Sequence, residues 1–268
     1  MTRIISALVL IPLALLAVLY ATPGLFLAGI GIVGTACLYE YFRLVRSMKF
    51  EVQSWLGYIV FWALILAFRY SGLPATAVIA LALIAFFLSA MWQRRLPVRD
   101  RALGLMAELL GVFYCALFLY TALPIRYDFG DKTGLHWTLI LLCAVWAGDT
   151  FALVFGKTMG RHPFAPVLSP KKTNEGSIAG LLGSMAVAAA LQYFFFQDLP
   201  LRHVLAASII LGFFGQLGDL AESMLKRAAE IKDSSHLIPG HGGVLDRMDS
   251  LLFAFPVLYL YLLLLDKY

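Results

Sequence analysis

The densest set of charged side chains in this sequence lies in residues 223–249, between two strongly apolar stretches. Charges beside a bilayer are expensive unless they are paired or bind something charged. Basic groups, a glycine-rich turn and two nearby aspartates would suit a phosphate chain held by a divalent metal. We therefore interpret the segment as a functional site, with these candidate members: Ser223, Lys226, Arg227, Lys232, Asp233, His241, Gly242, Gly243, Asp246, Arg247 and Asp249.

The alternative interpretation of this segment is a solvated loop that follows the positive-inside rule. That interpretation explains the lysines and arginines but does not require the acids, histidines and glycines. Pro239 to Gly243 forces a turn in which backbone N–H groups can approach a ligand closely. His241 in this turn is a candidate ligand or proton carrier, and a purely structural hydrogen bond is left open as its other role.

A metal site is expected from three carboxylates. Asp246 and Asp249 lie one helical turn apart at the start of the last apolar span, and they could share a metal with Asp219. The ligands are carboxylates, and the three cysteines lie within apolar spans without metal-ligand spacing, so Mg²⁺ is expected rather than zinc. A second cation beside Mg²⁺ is left open.

Two aspartates occur inside apolar spans. Asp149 lies near one end of its span, and Asp219 shares a helix face with Glu222, Ser223 and Lys226. An intramembrane acid is a functional-site hypothesis by default, because removing it from water costs about 3 kcal/mol on insertion scales. The alternative for each is a structural Asp that caps a helix or pairs within the bundle.

A second polar loop, residues 168–177, reads LSPKKTNEGS. It lacks the spacing of a Walker loop, and two lysines at a membrane boundary taken alone indicate only topology. Together with the 223–249 segment, however, the loop becomes a candidate clamp for an anionic substrate. Its candidate substrate-binding residues are Ser169, Lys171, Lys172, Thr173 and Glu175.

The composition predicts a membrane protein, since 61% of the 268 residues are apolar and only 14% are charged. The sequence predicts an all-α, polytopic helical bundle with about nine transmembrane helices and an uncleaved first helix. Residues 1–134 are expected to form scaffold helices, and residues 135–268 the catalytic helices with their polar loops. The predicted spans lie near 4–21, 24–42, 55–71, 74–92, 103–125, 135–156, 177–196, 203–225 and 248–265.

The positive charges predict the orientation in the membrane. With the N-terminus inside, sixteen of the 21 lysines and arginines fall on the cytoplasmic side. Every polar motif described above then faces the cytoplasm, where nucleotides are available. The net charge of +5 is explained by this topology and by anionic lipid headgroups, so no nucleic-acid partner is expected.

The ordered pattern of these motifs resembles the phosphatidate cytidylyltransferase family, also called CDP-diacylglycerol synthases. The family signature is filled without a gap by Ser223, Lys226-Arg227, Lys232-Asp233, Pro239 to Gly243, and Asp246-Arg247 with Asp249. The segments GQLGDLAES and SPKKTNEG also resemble the family, so the similarity covers the second half of the chain. Two positions depart from it: Asn174 replaces a usual tryptophan, and Ser235 replaces a common glycine.

The resemblance implies a Mg²⁺-dependent reaction in which CTP and phosphatidate give CDP-diacylglycerol and pyrophosphate, and we expect it at the cytoplasmic face of the inner (cytoplasmic) membrane. The lipid phosphate would be the nucleophile, so catalysis would depend on positioning and charge neutralisation. Asp219, Asp246 and Asp249 would hold the metal, and Asp149 would close the site. The phosphates would be bound by Lys226, Arg227 and Arg247 with Lys171 and Lys172.

Two other classes of function remain open at this point. A transporter or channel could use intramembrane acids, but it predicts symmetry between halves and acids spread through the membrane. Another CTP-dependent lipid or alcohol transferase or kinase would use the same metal and phosphate chemistry with a different acceptor. Formation of a homodimer is also left open.

Overall fold

The computed structural model describes residues 2–70, 74–240 and 242–265. His241, one of the candidate ligands, lies outside the described residues. The described chain is almost entirely helical, and one short β-hairpin interrupts the helices. The helices are α1 (Thr2–Tyr20), α2 (Pro23–Ser47), α3 (Ser54–Arg69), α4 (Ala75–Trp92), α5 (Val98–Tyr120), α6 (Ala122–Tyr127), α7 (Asp131–Met159), α8 (Asn174–Phe194), α9 (Leu201–Ala228) and α10 (Leu245–Leu265).

The predicted all-α, polytopic fold is confirmed, because each predicted span coincides with a helix. Among the described residues, seven helices are long and apolar enough to cross a membrane, with α5 and α6 counted as one span of 30 residues. Two further apolar segments are shorter: Leu8–Tyr20 within α1, and α3 with 16 residues. At 1.5 Å per residue, α3 spans about 24 Å, less than the roughly 30 Å of a hydrocarbon core.

The hairpin was not predicted from the sequence. Strands β1 (Pro163–Ala165) and β2 (Ser169–Thr173) pair antiparallel, with Pro163 opposite Thr173 and Ala165 opposite Ser169. The strands are too short to show a clear alternation of apolar and polar residues, and β2 contains two lysines and a proline. Thr173 then caps α8, because its side chain accepts the N–H of Gly176 at 3.2 Å.

The helices belong to two compact units, which are described separately. The first unit comprises the described residues within Met1–Leu10, Gly24–Tyr120 and Leu225–Asp246. Its core is formed by apolar side chains of α2, α3 and α5, and these include the fully buried residues Phe42, Phe61 and Leu119. The hydroxyl of Tyr41 in α2 donates to the carbonyl of Ala107 in α5 at 3.0 Å, which ties the two helices together.

The second unit comprises the described residues within Ile11–Pro23, Thr121–Met224 and Arg247–Tyr268. Its central contact is the packing of α7 against α8, where small residues allow the helix backbones to approach closely. A Cβ atom added at Gly148 would lie 2.5 Å from Oγ of Ser184, so a larger residue does not fit there. Ser184 donates to the carbonyl of Ala144 at 2.7 Å across the same contact.

Candidate active site

The end of α9 fixes the position of two basic residues of the signature. The helix ends in a Schellman arrangement, in which the N–H of Ile231 donates to the carbonyl of Lys226 at 3.0 Å. Glu230 has a φ of 57°, the left-handed conformation that this arrangement requires. Lys226 and Arg227 therefore occupy the last helical turn, where cations interact favourably with the helix dipole.

Lys226 forms a buried ion pair with Asp246 in the first turn of α10. The Lys226 ammonium lies 2.7 Å from Oδ1 of Asp246, and the two side chains are only 12% and 5% exposed. The other carboxylate oxygen, Oδ2, accepts the N–H of Ser234 at 3.0 Å, the hydroxyl of Ser234 at 2.8 Å and the N–H of Gly243 at 2.7 Å. We call Lys226, Ser234, Gly243 and Asp246, with Glu40, the Lys226 cluster.

The glycine at 243 is required by this close packing. A Cβ atom at Gly243 would lie 2.0 Å from Oγ of Ser234 and 2.3 Å from Oε2 of Glu40. At position 242 glycine is favoured for another reason, because the φ of 83° lies in the left-handed region. The glycines predicted from the sequence as a ligand-approach motif thus also shape the loop around Asp246.

Glu40 of α2 is the cluster member that the sequence analysis did not assign to the site. It is fully buried, and its Oε2 accepts the N–H of Leu245 at 2.7 Å and the hydroxyl of Ser234 at 2.9 Å. Its Oε1 accepts the N–H of Val244 at 3.0 Å and the hydroxyl of Ser235. The signal that could have found Glu40 is its occurrence as an acid in a predicted apolar span.

Three other charged residues of the signature belong to the first unit. Arg227, Lys232 and Asp233 are exposed. The Arg227 guanidinium makes a contact of 3.4 Å with the carbonyl of Ile231. The substrate-binding role of these residues stays a prediction.

A second ion pair lies within the other unit. The Lys172 ammonium of β2 lies 2.6 Å from Oδ2 of Asp219 in α9, and the side chains are 27% and 31% exposed. The Ser223 hydroxyl, one turn further along α9, donates to Oδ1 of Asp219 at 3.3 Å. We call Lys172, Asp219 and Ser223, with Asp149, the Lys172 cluster.

Asp149 of α7 completes the Lys172 cluster. It interacts electrostatically with Asp219, Lys172 and Arg247, all in the same unit. The Ser250 hydroxyl lies 3.5 Å from its Oδ1. The structure thus brings together Asp149 and Asp219, the two acids predicted within apolar spans, with Lys172 close to both.

The residues of the predicted clamp loop, 168–177, differ in their environments. Successive residues of β2 point to opposite faces, and Lys171 is exposed whereas Lys172 is partly buried in its ion pair. The Glu175 carboxylate accepts the N–H of Arg161 at 3.0 Å and also contacts the His162 ring. Glu175 and Thr173 therefore hold the base of the hairpin, while Ser169 is partly buried on β2.

The predicted metal ligands differ in their present partners. Asp219 contacts Lys172 and Ser223, and Asp246 forms an ion pair with Lys226. Asp249 accepts the N–H of Ser250 at 2.7 Å. Within residues 2–70, 74–240 and 242–265, no three histidines, cysteines or acids lie close enough to hold a metal ion. The donor chemistry fits a hard cation, since carboxylate oxygens suit Mg²⁺. The assignment of Asp219, Asp246 and Asp249 to Mg²⁺ stays a prediction.

Comparison with known proteins decides the family. Residues 1–265 match the family model described as the cytidylyltransferase family. The chain belongs to the cytidylyltransferase family. It is 37% identical over 194 residues to the phosphatidate cytidylyltransferase of Staphylococcus haemolyticus, a match that covers 72% of this chain and 71% of the relative. It is 39% identical over 188 residues to that of Staphylococcus aureus (strain COL), with 70% and 68% covered.

Membership in the cytidylyltransferase family confirms the resemblance read from the signature residues. Three residues predicted from that signature lie together: Asp246 binds the Lys226 ammonium and accepts the N–H of Gly243. Ser235, which departs from the usual glycine, is buried and donates to Glu40. Asn174, which departs from the usual tryptophan, is the first residue of α8 and is exposed.

Proposed function

We propose that the chain is a CTP:phosphatidate cytidylyltransferase of phospholipid biosynthesis. The observation that carries this proposal is a match to the cytidylyltransferase family along residues 1–265, with relatives named phosphatidate cytidylyltransferase. In the reaction, an oxygen of the phosphatidate phosphate attacks the α-phosphorus of CTP. The bond from that phosphorus to the oxygen that bridges to the β-phosphorus breaks, and pyrophosphate leaves as CDP-diacylglycerol forms.

The main difficulty of this reaction is electrostatic, because one phosphate anion must attack another. Cationic side chains that face the phosphates would neutralise part of this charge in the transition state. The ion pair with Asp246 fixes the Lys226 ammonium at 2.7 Å, so the lysine keeps one orientation without help from a ligand. We assign phosphate binding to the basic residues of the two polar segments: Lys171, Lys172, Lys226, Arg227 and Arg247.

The acids would serve the divalent cation. When bound, Mg²⁺ would neutralise phosphate charge and favour departure of pyrophosphate. The proposed ligands remain Asp219, Asp246 and Asp249, and Asp149 adds negative charge beside Asp219. The Lys172 ammonium is buried beside Asp219, although the two side chains are 27% and 31% exposed, so a cation or a phosphate would have to separate this pair to bind either partner.

The reaction joins a membrane-anchored substrate with a soluble one. We propose a multi-pass protein of the cytoplasmic membrane with both polar segments on the cytoplasmic side, as the uneven distribution of lysines and arginines supports. Phosphatidate would enter from the cytoplasmic leaflet, with its acyl chains among apolar helices. CTP would arrive from water over the exposed residues of the two loops.

The acceptor defines the function and can be tested directly. Purified protein in lipid vesicles would receive CTP and Mg²⁺ with phosphatidate, with diacylglycerol or with a long-chain alcohol. The proposal predicts CDP-diacylglycerol with phosphatidate and no lipid product with the other two. A phosphorylated lipid and CDP would instead identify a CTP-dependent kinase, and ion flux into the vesicles without any lipid product would identify a transporter.

A further inference from the structure

We infer that Glu40 of α2 is a positioning residue, which holds the signature loop and thereby orients Lys226 and Asp246. The inference rests on the proposed function for its catalytic consequence, but its structural part can be tested alone. Glu40 lies about 200 positions before the loop in sequence, and its contacts with Ser234, Ser235, Val244 and Leu245 all lie within one compact unit.

The contacts of Glu40 are those of an ionised carboxylate. Two backbone N–H groups, from Val244 and Leu245, and two hydroxyls, from Ser234 and Ser235, converge on its two oxygens. An ionised carboxylate accepts hydrogen bonds and donates none, so it can satisfy the two N–H groups and the Ser235 hydroxyl, while the single proton of the Ser234 hydroxyl is shared with Asp246. An amide at this position would turn its NH₂ group toward one N–H and one hydroxyl, because each oxygen now faces such a pair. The hydroxyl can reverse and accept, but the backbone N–H would lose its acceptor.

The location of these donors explains why a buried charge is tolerated. Val244 directly precedes α10 and Leu245 begins it, so their N–H groups lie at a helix N-terminus, which favours negative charge. Glu40 thus caps α10 from a different helix. The Asp246 carboxylate, in the first turn of the same helix, accepts the neighbouring N–H of Gly243 at 2.7 Å.

Ser234 connects Glu40 to the catalytic candidates. Its hydroxyl lies 2.9 Å from Oε2 of Glu40 and 2.8 Å from Oδ2 of Asp246, so one hydroxyl lies between two carboxylates. Oδ1 of the same Asp246 carboxylate binds Lys226. A change at Glu40 therefore reaches the Lys226 ammonium through three successive contacts, although Glu40 itself would touch no substrate.

Ser235 also connects Glu40 to the loop, because its hydroxyl accepts the N–H of Leu237 at 3.0 Å and donates to Glu40. Relative to the glycine common at this position, the serine adds one donor to the carboxylate. We expect Ser235→Gly to have a smaller effect than any change of Glu40, because Val244, Leu245 and Ser234 still donate.

The test compares Glu40→Gln with Glu108→Gln in the full-length protein. Glu108 is a matched control: it is buried in the same unit and accepts the N–H of Gln53, but no described contact joins it to the loop. Hydrogen exchange of the amides of residues 243–245 is the structural readout. We expect Glu40→Gln to accelerate exchange about tenfold, the effect of losing roughly one hydrogen bond, whereas Glu108→Gln leaves it unchanged.

The kinetic readout separates positioning from general stability. Glu40→Gln should lower kcat about 100-fold, as small displacements of a catalytic group do, with the KM for CTP nearly unchanged. If Glu40→Gln does not fold, Ser234→Ala replaces it, since this variant removes only the bridge and should shift exchange and kcat in the same direction. Unchanged exchange at residues 243–245, or an equal loss of kcat in Glu108→Gln, would overturn the inference. If the wild-type protein made no CDP-diacylglycerol, the proposed function would fail while the exchange result still decided the role of Glu40.

Discussion

The ammonium of Lys172 lies 2.6 Å from Oδ2 of Asp219, so one side chain of the hairpin is tied to α9 within a single compact unit. The neighbouring Lys171 is exposed on the other face of the same strand. Two adjacent lysines that look equivalent in the sequence are therefore in different environments. We therefore expect the two lysines to contribute differently to activity.

Lys172→Ala should lower activity more than Lys171→Ala, because only Lys172 brings its charge to Asp219. We expect a loss of about 100-fold in kcat/KM for Lys172→Ala, typical of removing one group that stabilises transition-state charge. Steady-state kinetics with varied CTP would measure it. Lys157→Ala is a matched control, since Lys157 is an exposed cation at the end of α7 in the same unit. If the double Lys171→Ala, Lys172→Ala variant kept both kinetic constants, neither lysine would bind phosphate.

Asp246→Asn should destabilise the protein as well as inactivate it. The Lys226 side chain is only 12% exposed, and removal of its partner leaves a nearly buried charge, a change that costs about 3 kcal/mol. Thermal unfolding in detergent, followed by intrinsic fluorescence, would show a lowered Tm. The double variant Lys226→Met, Asp246→Asn removes both charges, while its amide oxygen can still accept the N–H groups of Ser234 and Gly243, so it should recover much of the Tm while it stays inactive. A single variant with wild-type Tm would contradict the buried ion pair.

Gly243→Ala should disrupt the loop, because its Cβ atom would lie 2.0 Å from Oγ of Ser234. Overpacking of this kind costs about 1–3 kcal/mol, and the displaced Ser234 and Glu40 would also disturb Asp246. We expect strongly reduced turnover in a protein that still inserts into the membrane. Gly29→Ala provides the comparison, since nothing lies within 4 Å of the Cβ added there. Equal activity of the two variants would show that the tight contact at Gly243 is unimportant.

The predicted topology can be checked at the two ends of α8. Val167, which is 83% exposed in the hairpin turn, precedes this helix, and the exposed Gln197 follows it. In a variant without Cys37, Cys115 and Cys143, a single cysteine at each position should react with a membrane-impermeant reagent from opposite sides. Position 167 should react only from the cytoplasmic side. Labelling of both positions from one side would contradict a membrane-spanning α8.

Much of the fold followed from hydropathy, because a helix must satisfy its own backbone hydrogen bonds in lipid and therefore needs a long apolar run. This requirement is local, and it placed α7, α8 and α10 within a few residues of their observed ends. The hairpin of β1 and β2 is different, since its two short strands depend on pairing with each other. No periodic signal in the sequence marks them.

The site was predictable where residues are close in the sequence and unpredictable where they are distant. Lys226, Gly243 and Asp246 belong to one continuous motif, and the structure joins them. Glu40 is not part of that motif, because its partners lie about 200 residues further along the chain. A single sequence marks such an acid as unusual but does not identify its partner.

The exposed acids and bases are the least determined part of the site. Arg227, Lys232 and Asp233 are exposed, so burial does not distinguish their roles toward a ligand. The composition of the segment indicates phosphate chemistry, but only the tertiary contacts separate the residues that hold the loop from those available to a ligand. Ser234 illustrates the first group, since both its N–H and its hydroxyl contact Asp246.

The most direct test of the account follows both ends of CTP in one reaction. Purified protein in phosphatidate-containing vesicles with Mg²⁺ would receive CTP labelled at the α-phosphorus, and in a parallel sample CTP labelled at the γ-phosphorus. The account predicts that the α label appears in CDP-diacylglycerol and the γ label in pyrophosphate, in equal amounts, and that Asp219→Asn abolishes both. Transfer of the γ label to lipid, or no labelled lipid in either sample, would contradict it.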